Sequence, residues 1–213
     1  MGQEEVQKNL DKLGFGLGEI VEIIITSQNL KNEPNAAPMG VARRGPRTIE
    51  VKPFLETTTY RNLRETSKGV ANISYDVDLF LETAFKDENA KAEWFEKEED
   101  SPHLKGADAL LYFTVLGETK VSESRACFLC QVDATKVLEP FPRVFSRGFA
   151  ATIEAVIHVT RIEAFMREGK SDEVEKYLQK FRVCKEVVER VSPKESPNRR
   201  VMKVLEEKIL RWK

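Results

Sequence analysis

Imidazole and thiol chemistry are scarce in this chain: 213 residues hold three cysteines and two histidines. With His103 and His158 the only imidazoles, no dedicated zinc or iron site is expected. Cys127 and Cys130 form a CxxC inside the strand-like run 126–132, where positions three apart face opposite sides of a sheet. Such a pair does not share one metal. It also lacks the helix start of a redox CxxC, so both read as structural thiols. Long apolar runs are missing: Ile23-Ile24-Ile25 falls far short of the roughly 20 residues that span a bilayer, so no membrane partner is expected. Neither sign of charge is in excess, with 34 Lys+Arg against 35 Asp+Glu, which excludes a bulk basic binder of nucleic acid. Gly2-Gln3-Glu4-Glu5 opens no basic region followed by an apolar stretch. No secretory signal is read, and a cytoplasmic protein is expected.

What is present suffices for a real core. The chain is 41% hydrophobic, and a protein of about 150 residues already buries roughly 70% of its surface. The first half reads as strands. Glu19–Ser27 is β-branched and apolar, as in a strand buried on both faces. A polar loop with Asn29, Asn32, Pro34 and Asn35 follows, then short strands at Met39–Arg43 and Thr48–Phe54 around a turn at Arg44-Gly45-Pro46-Arg47. Thr57–Ser67 reads as a short helix that Thr58 or Thr59 can cap. Gly69–Tyr75 returns to strand, and Asp76 caps a helix to Phe85. Residues 86–102 are charge-rich and read as an exposed loop or helix anchored by Trp94-Phe95. Ala109–Leu116 and Arg125–Val137 are two long strands joined by a hairpin at Gly117–Ser124.

The last third is helical: Phe149–Arg167 ending at Gly169, a second helix capped by Ser171, and a third opening at Ser196-Pro197. Strands followed by helices give an α+β chain, which we divide into residues 1–145 and a helical subdomain at 146–213.

Gly14-Phe15-Gly16-Leu17-Gly18 precedes a strand, whereas a dinucleotide loop follows one and opens a helix. It reads as a flexible lead-in, or as a place where backbone approaches a flat ligand. Thr57-Thr58-Thr59-Tyr60-Arg61-Asn62-Leu63-Arg64 gathers hydroxyls, an amide and two guanidiniums at a helix start. That composition serves capping with solvated arginines, or an anion site.

This segment, with Val70-Ala71-Asn72-Ile73 after it and Ala37-Pro38-Met39-Gly40-Val41-Ala42 before it, resembles the flavin-reductase-like FMN-binding split barrels. Their pattern is a Thr, two residues, an Asn, an apolar residue, then a strand ending in Asn; Thr59, Asn62 and Asn72 fall on those positions. With Ile153–Arg161, the chain further resembles a largely archaeal family that joins such a barrel to a helical C-terminal extension. The resemblance implies an antiparallel FMN-binding split β-barrel and a homodimer with FMN at its interface. It implies that Thr59 and its neighbour Thr58 contact the phosphate or ribityl chain, and that Asn62 bonds flavin or fixes the loop. Met39, Gly40 and Val41 would line the ring by backbone groups, and Asn72 would support the site. The family's basic residue two before the Thr is replaced here by Thr57. The phosphate cation must therefore come from Arg43, Arg44, Lys52 or Arg61. An oxidoreductase with a small-molecule electron donor or acceptor is implied. A non-enzymatic FMN-binding, storage or partner-docking protein, and a barrel gripping another anion, are the alternatives.

Glu154, His158 and Arg161, at spacings of four and three, share one face of a helix. They form either a structural cluster or a polar wall closing a substrate pocket, where His158 would donate a proton. Arg147 would belong to the same wall.

Overall fold

The computed structural model describes residues 2–15, 17–18, 20–85, 95–98, 101–139, 147–192 and 194–212. In chain order the elements are α1 (Gln3–Lys12), β1 (Ile20–Gln28), β2 (Pro34–Arg43), β3 (Thr48–Val51), α2 (Thr58–Thr66) and β4 (Lys68–Ile73). They continue as α3 (Val77–Ala84), β5 (Phe95–Glu98), β6 (Ser101–Leu104), β7 (Ala109–Lys120) and β8 (Ala126–Val137). The chain closes with α4 (Arg147–Arg167), α5 (Ser171–Val191) and α6 (Pro197–Trp212). It divides into two compact units: Met1–Ser74 with Lys86–Pro142, and Tyr75–Phe85 with Arg143–Lys213.

The first unit is a closed antiparallel barrel in the order β1-β2-β3-β8-β7-β4, with β5 and β6 as a separate hairpin. Alternation fills it: Ile23 and Ile25 of β1, Ile49 and Val51 of β3, Leu111 and Phe113 of β7 and Phe128 of β8 all enter one core. Gly69 is required there, because a Cβ would meet the Phe113 ring at 2.5 Å. Cys130 points into this core while Cys127 is partly exposed, so the two thiols do face opposite ways. Burial pushes the Cys130 thiol up to about 12.

Several boundaries differ from the sequence expectation. Helix α1 forms ahead of Gly14, where no element was read, because Val6 and Leu10, one turn apart, bury completely against the barrel core. The second strand begins at Pro34 rather than Met39. The turn before it is tighter than read: Asn29 Oδ1 accepts from the amides of Lys31 and Glu33, and Asn32 takes φ 62°. Strand β7 runs to Lys120, which shortens the hairpin turn, and β3 stops at Val51, leaving Phe54 in a lone bridge to Arg125. The segment read as loop or helix after residue 85 contains β5 and β6; Trp94 lies outside the described residues.

The second unit packs α3, α4, α5 and α6 on an apolar seam that includes Val77, Val156, Val159, Ile162, Phe181 and Leu205. Asp76 caps α3 as its spacing predicts, accepting from the amides of Asp78 and Leu79. Ser171 is not a cap: α5 begins on it, after Lys170. Among the described residues, no helix is long and apolar enough to cross a membrane.

Candidate functional site

Helix α2 carries the polar cluster that the sequence singled out. Thr57, and not Thr58 or Thr59, is its N-cap, accepting from the Tyr60 amide at 3.2 Å, because the helix already begins at Thr58; Ser67 ends it in the left-handed region at φ 56°. Thr59, Asn62, Leu63 and Thr66 recur at helical spacing, so they share the face turned to the barrel. Leu63 is fully buried, worth about 1.5–3 kcal/mol of apolar burial. Thr59 and Asn62 are buried as well and need partners there. Asn35 Nδ2 of β2 donates to Thr59 Oγ1 at 2.9 Å, and Asn62 Nδ2 donates to Ser27 Oγ of β1 at 3.3 Å. The start of α2 is thereby fixed beside the start of β2.

The outer rim of the same turn is open. Thr58 is exposed, and Arg61 Nη2 donates to its hydroxyl at 3.1 Å. The Tyr60 amide is taken by Thr57, which leaves the Thr58 and Thr59 amides without an intrahelical acceptor, and no carboxylate stands in that turn to offset the positive end of the helix. Hydroxyl, guanidinium and free amides form one donor set for an anion.

Strand β2 supplies an edge. It pairs with β1 over its whole length, from Ile20↔Ala42 to Gln28↔Pro34, but with β3 only through Val41, Ala42 and Arg43. From Pro34 to Gly40 its other edge pairs with no strand among the described residues. The side chains there include the small Ala36, Ala37 and Gly40, and Met39 is half-buried. Val41 closes this edge; its side chain is in the core and its strand partner is Val51.

Asn72 stands behind the site. Its amide donates to Ile24 O and Thr26 Oγ1, both at 3.0 Å, and its Oδ1 accepts from the Leu104 amide at 2.8 Å. Thr26 Oγ1 donates to Pro102 O at 2.6 Å. Asn72 therefore ties β6 to β1 and β4, and its side chain is occupied in doing so. Ser27, Asn35 and Thr26 were not singled out in the sequence. The available signal was hydroxyls ending an isoleucine-rich strand.

The cation candidates separate. Arg43 is buried, with Nη1 on Asp11 Oδ1 at 2.5 Å and on Phe15 O at 3.0 Å, and with Nε and Nη2 on the carbonyls of Gly45 and Pro46. It staples α1 to the β2–β3 turn. Lys52 and Arg44 both pair with Glu50, at 2.9 and 2.7 Å; the Arg44 hydrogen bond holds that carboxyl below its usual range. Of the four, Arg61 is the one that bonds a residue of the α2 start. A cavity of about 650 Å³ is lined by Asp11, Gly14, Phe15, Leu17, Arg43 and Pro46 among others and shares no residue with the α2 cluster. Gly16 lies outside the described residues. A crevice of about 90 Å³ reaches the cluster through Ser27 and Thr66. His158 belongs to the helical unit, where burial lowers its pKa; the Arg147 side chain lies outside the described residues.

A family model described as "Protein of unknown function (DUF447) N-terminal domain" matches residues 21–137, and one described as "Protein of unknown function (DUF447)" matches 146–207. The chain belongs to the DUF447 family. An FMN-bound DUF447 protein from Methanosarcina mazei is similar over 93% of this chain and 98% of its own, at 27% identity and TM-score 0.75. Two further structures share the barrel. A flavoredoxin from Methanosarcina acetivorans matches at 16% identity, 58% and 72% coverage and TM-score 0.51. A flavin reductase domain protein from Arthrobacter sp. FB24 matches at 14% identity, 65% and 99% coverage and TM-score 0.51. The DUF447 chain described here is thus an α+β protein: a flavin-reductase-like antiparallel barrel followed by helices.

Proposed function

We propose that this chain binds FMN with the flavin ring along the open edge of β2 and the phosphate at the start of α2, and that it is an oxidoreductase using a small-molecule electron donor and acceptor. One observation carries the reading: the Asn35–Thr59 hydrogen bond sets an unpaired strand edge beside a helix start that bears hydroxyl, guanidinium and free amides. The FMN-bound relative, matched over nearly its whole length, supports it.

The residues suit the group. Backbone groups of Met39 and Gly40 meet the ring, and small side chains let it lie flat; Val41 ends the slot. Thr58 and Arg61 take the phosphate through charge-assisted bonds. Thr59 and Asn62 hold the turn in place, and Asn72 supports the strands behind it. Arg43 and Lys52 serve the scaffold. Bound there, FMN supplies the hydride and electron chemistry, so no acid or base of the chain has to stand out.

Neither cavity described above is lined by residues 34–40 of β2 or by Thr58 and Arg61, whereas a ligand site buries most of its occupant. An open edge in one chain therefore needs a second surface, and we infer a homodimer whose partner copy covers the flavin.

The test is the absorbance spectrum of the purified protein, then mass measurement of what denaturation releases, then NADH or NADPH with an acceptor. Flavin bands, the mass of FMN and turnover are expected. Colourless protein that takes up no added FMN would end the reading; bound FMN that no donor reduces would end the oxidoreductase part.

A further inference from the structure

The helical unit holds a polar cluster that the flavin reading does not use. His158 of α4 has Nε2 3.8 Å from Glu154 Oε2, while its Nδ1 is buried without a hydrogen-bond partner. Its ring lies against Tyr177 of α5, centroids 5.7 Å apart. Three cations surround that tyrosine: Lys180 Nζ at 4.6 Å, Arg161 Cζ at 5.6 Å and Lys176 Nζ at 5.9 Å from the ring centroid. Lys176 is neutralised by Glu173 at 3.1 Å. Arg161 and Lys180 pair with no carboxylate among the described residues.

Two cations from different helices thus lie at one ring, neither of them in an ion pair among the described residues, although each would gain from a shared acceptor. His158 adds no charge of its own. Burial lowers its pKa, and Lys180 and Arg161 push the same way against Glu154. Among the described residues Glu154 is the carboxylate that acts on the imidazole, and it is turned mostly to solvent. Cys184 of α5, its thiol raised by burial, is also neutral.

We propose that the α4–α5 seam at Tyr177 seats a small oxyanion between Arg161 and Lys180. The ligand class is a phosphate monoester or a carboxylate, since both offer oxygens that accept charge-assisted bonds from a guanidinium and an ammonium. Tyr177 forms the apolar floor, and His158 senses the occupant. An anion there offsets the two cations and favours the charged imidazole, so binding is coupled to proton uptake.

With two histidines in the chain, imidazole NMR of the full-length protein resolves His158 directly, and His158→Gln assigns it. The protein is titrated with inorganic phosphate and, separately, acetate, each against chloride at equal ionic strength. We expect a saturable change in the His158 signals in at least one arm, with its titration midpoint moved to higher pH; the arm that saturates names the class. Arg161→Gln/Lys180→Gln, both exposed sites, keeps its far-UV spectrum and weakens the isotherm about tenfold or more. Neither arm exceeding chloride would overturn the proposal, as would an unchanged isotherm in the double variant. No flavin is needed in this experiment, so its failure is distinct from failure of the FMN reading.

Discussion

Asn35 of β2 donates its side-chain amide to the hydroxyl of Thr59 on α2 at 2.9 Å, with both residues buried and 24 positions apart. This bond joins the strand edge to the helix start and so defines the site. Asn35→Ala leaves the Thr59 hydroxyl short of its donor in a buried place. A loss of about 1–3 kcal/mol is expected in urea unfolding, together with weaker FMN binding. A variant with unchanged stability and affinity would show that the bond does not organise the site.

Asn72 is expected to act on the hairpin and not on the ligand. Asn72→Ala removes the acceptor of the Leu104 amide and two donor bonds to β1. Amide exchange at Leu104 should accelerate, and stability should fall by about 1–3 kcal/mol. Protection at Leu104 equal to wild type would contradict this role.

Arg43 and Arg61 are predicted to part company. Arg43→Met breaks the buried staple to Asp11 and to three carbonyls, at a cost on the order of 2–3 kcal/mol, reduced from a fully buried pair because Asp11 is half exposed. Its preference for FMN over riboflavin should stay at the wild-type value. If that preference is lost in Arg43→Met, the cation assignment is wrong.

How far the sequence foretold this site follows from the range of the interactions. Asp76 was legible as a cap because a cap acts on amides two or three positions away; for α2 a threonine cap was legible, but it is Thr57 where Thr58 or Thr59 was expected. The barrel strands were legible from β-branched runs such as that of β1. Arg43 was not: nothing local marks it as buried, since its carboxylate lies 32 residues earlier on a helix that shows only Val6 and Leu10 as its apolar signal. Asn35 was misplaced in a loop because Asn and Pro are turn formers, whereas here the turn ends at Glu33 and Pro34 opens the strand. Thr59 and Asn62 were picked out by resemblance, and their burial and partners became visible once β1 and β2 were in place.

His158 gives the helical unit a pH response. Burial holds its folded pKa below the ordinary value of 6.5. The unfolded chain therefore binds the proton more readily, and stability is lost as pH falls below about 6.5 into the acid range. His158→Gln should flatten that part of the profile relative to wild type. Parallel profiles for the two proteins between pH 7 and pH 5 would remove the assignment.

The most direct test of the account compares FMN with riboflavin by fluorescence titration, in the wild type and in Thr58→Ala/Arg61→Gln. The account predicts that wild type prefers FMN and that the variant loses roughly tenfold or more of FMN affinity while binding riboflavin as before. Equal binding of the two flavins by the wild type, or an undiminished FMN preference in the variant, would contradict a phosphate seat at the start of α2.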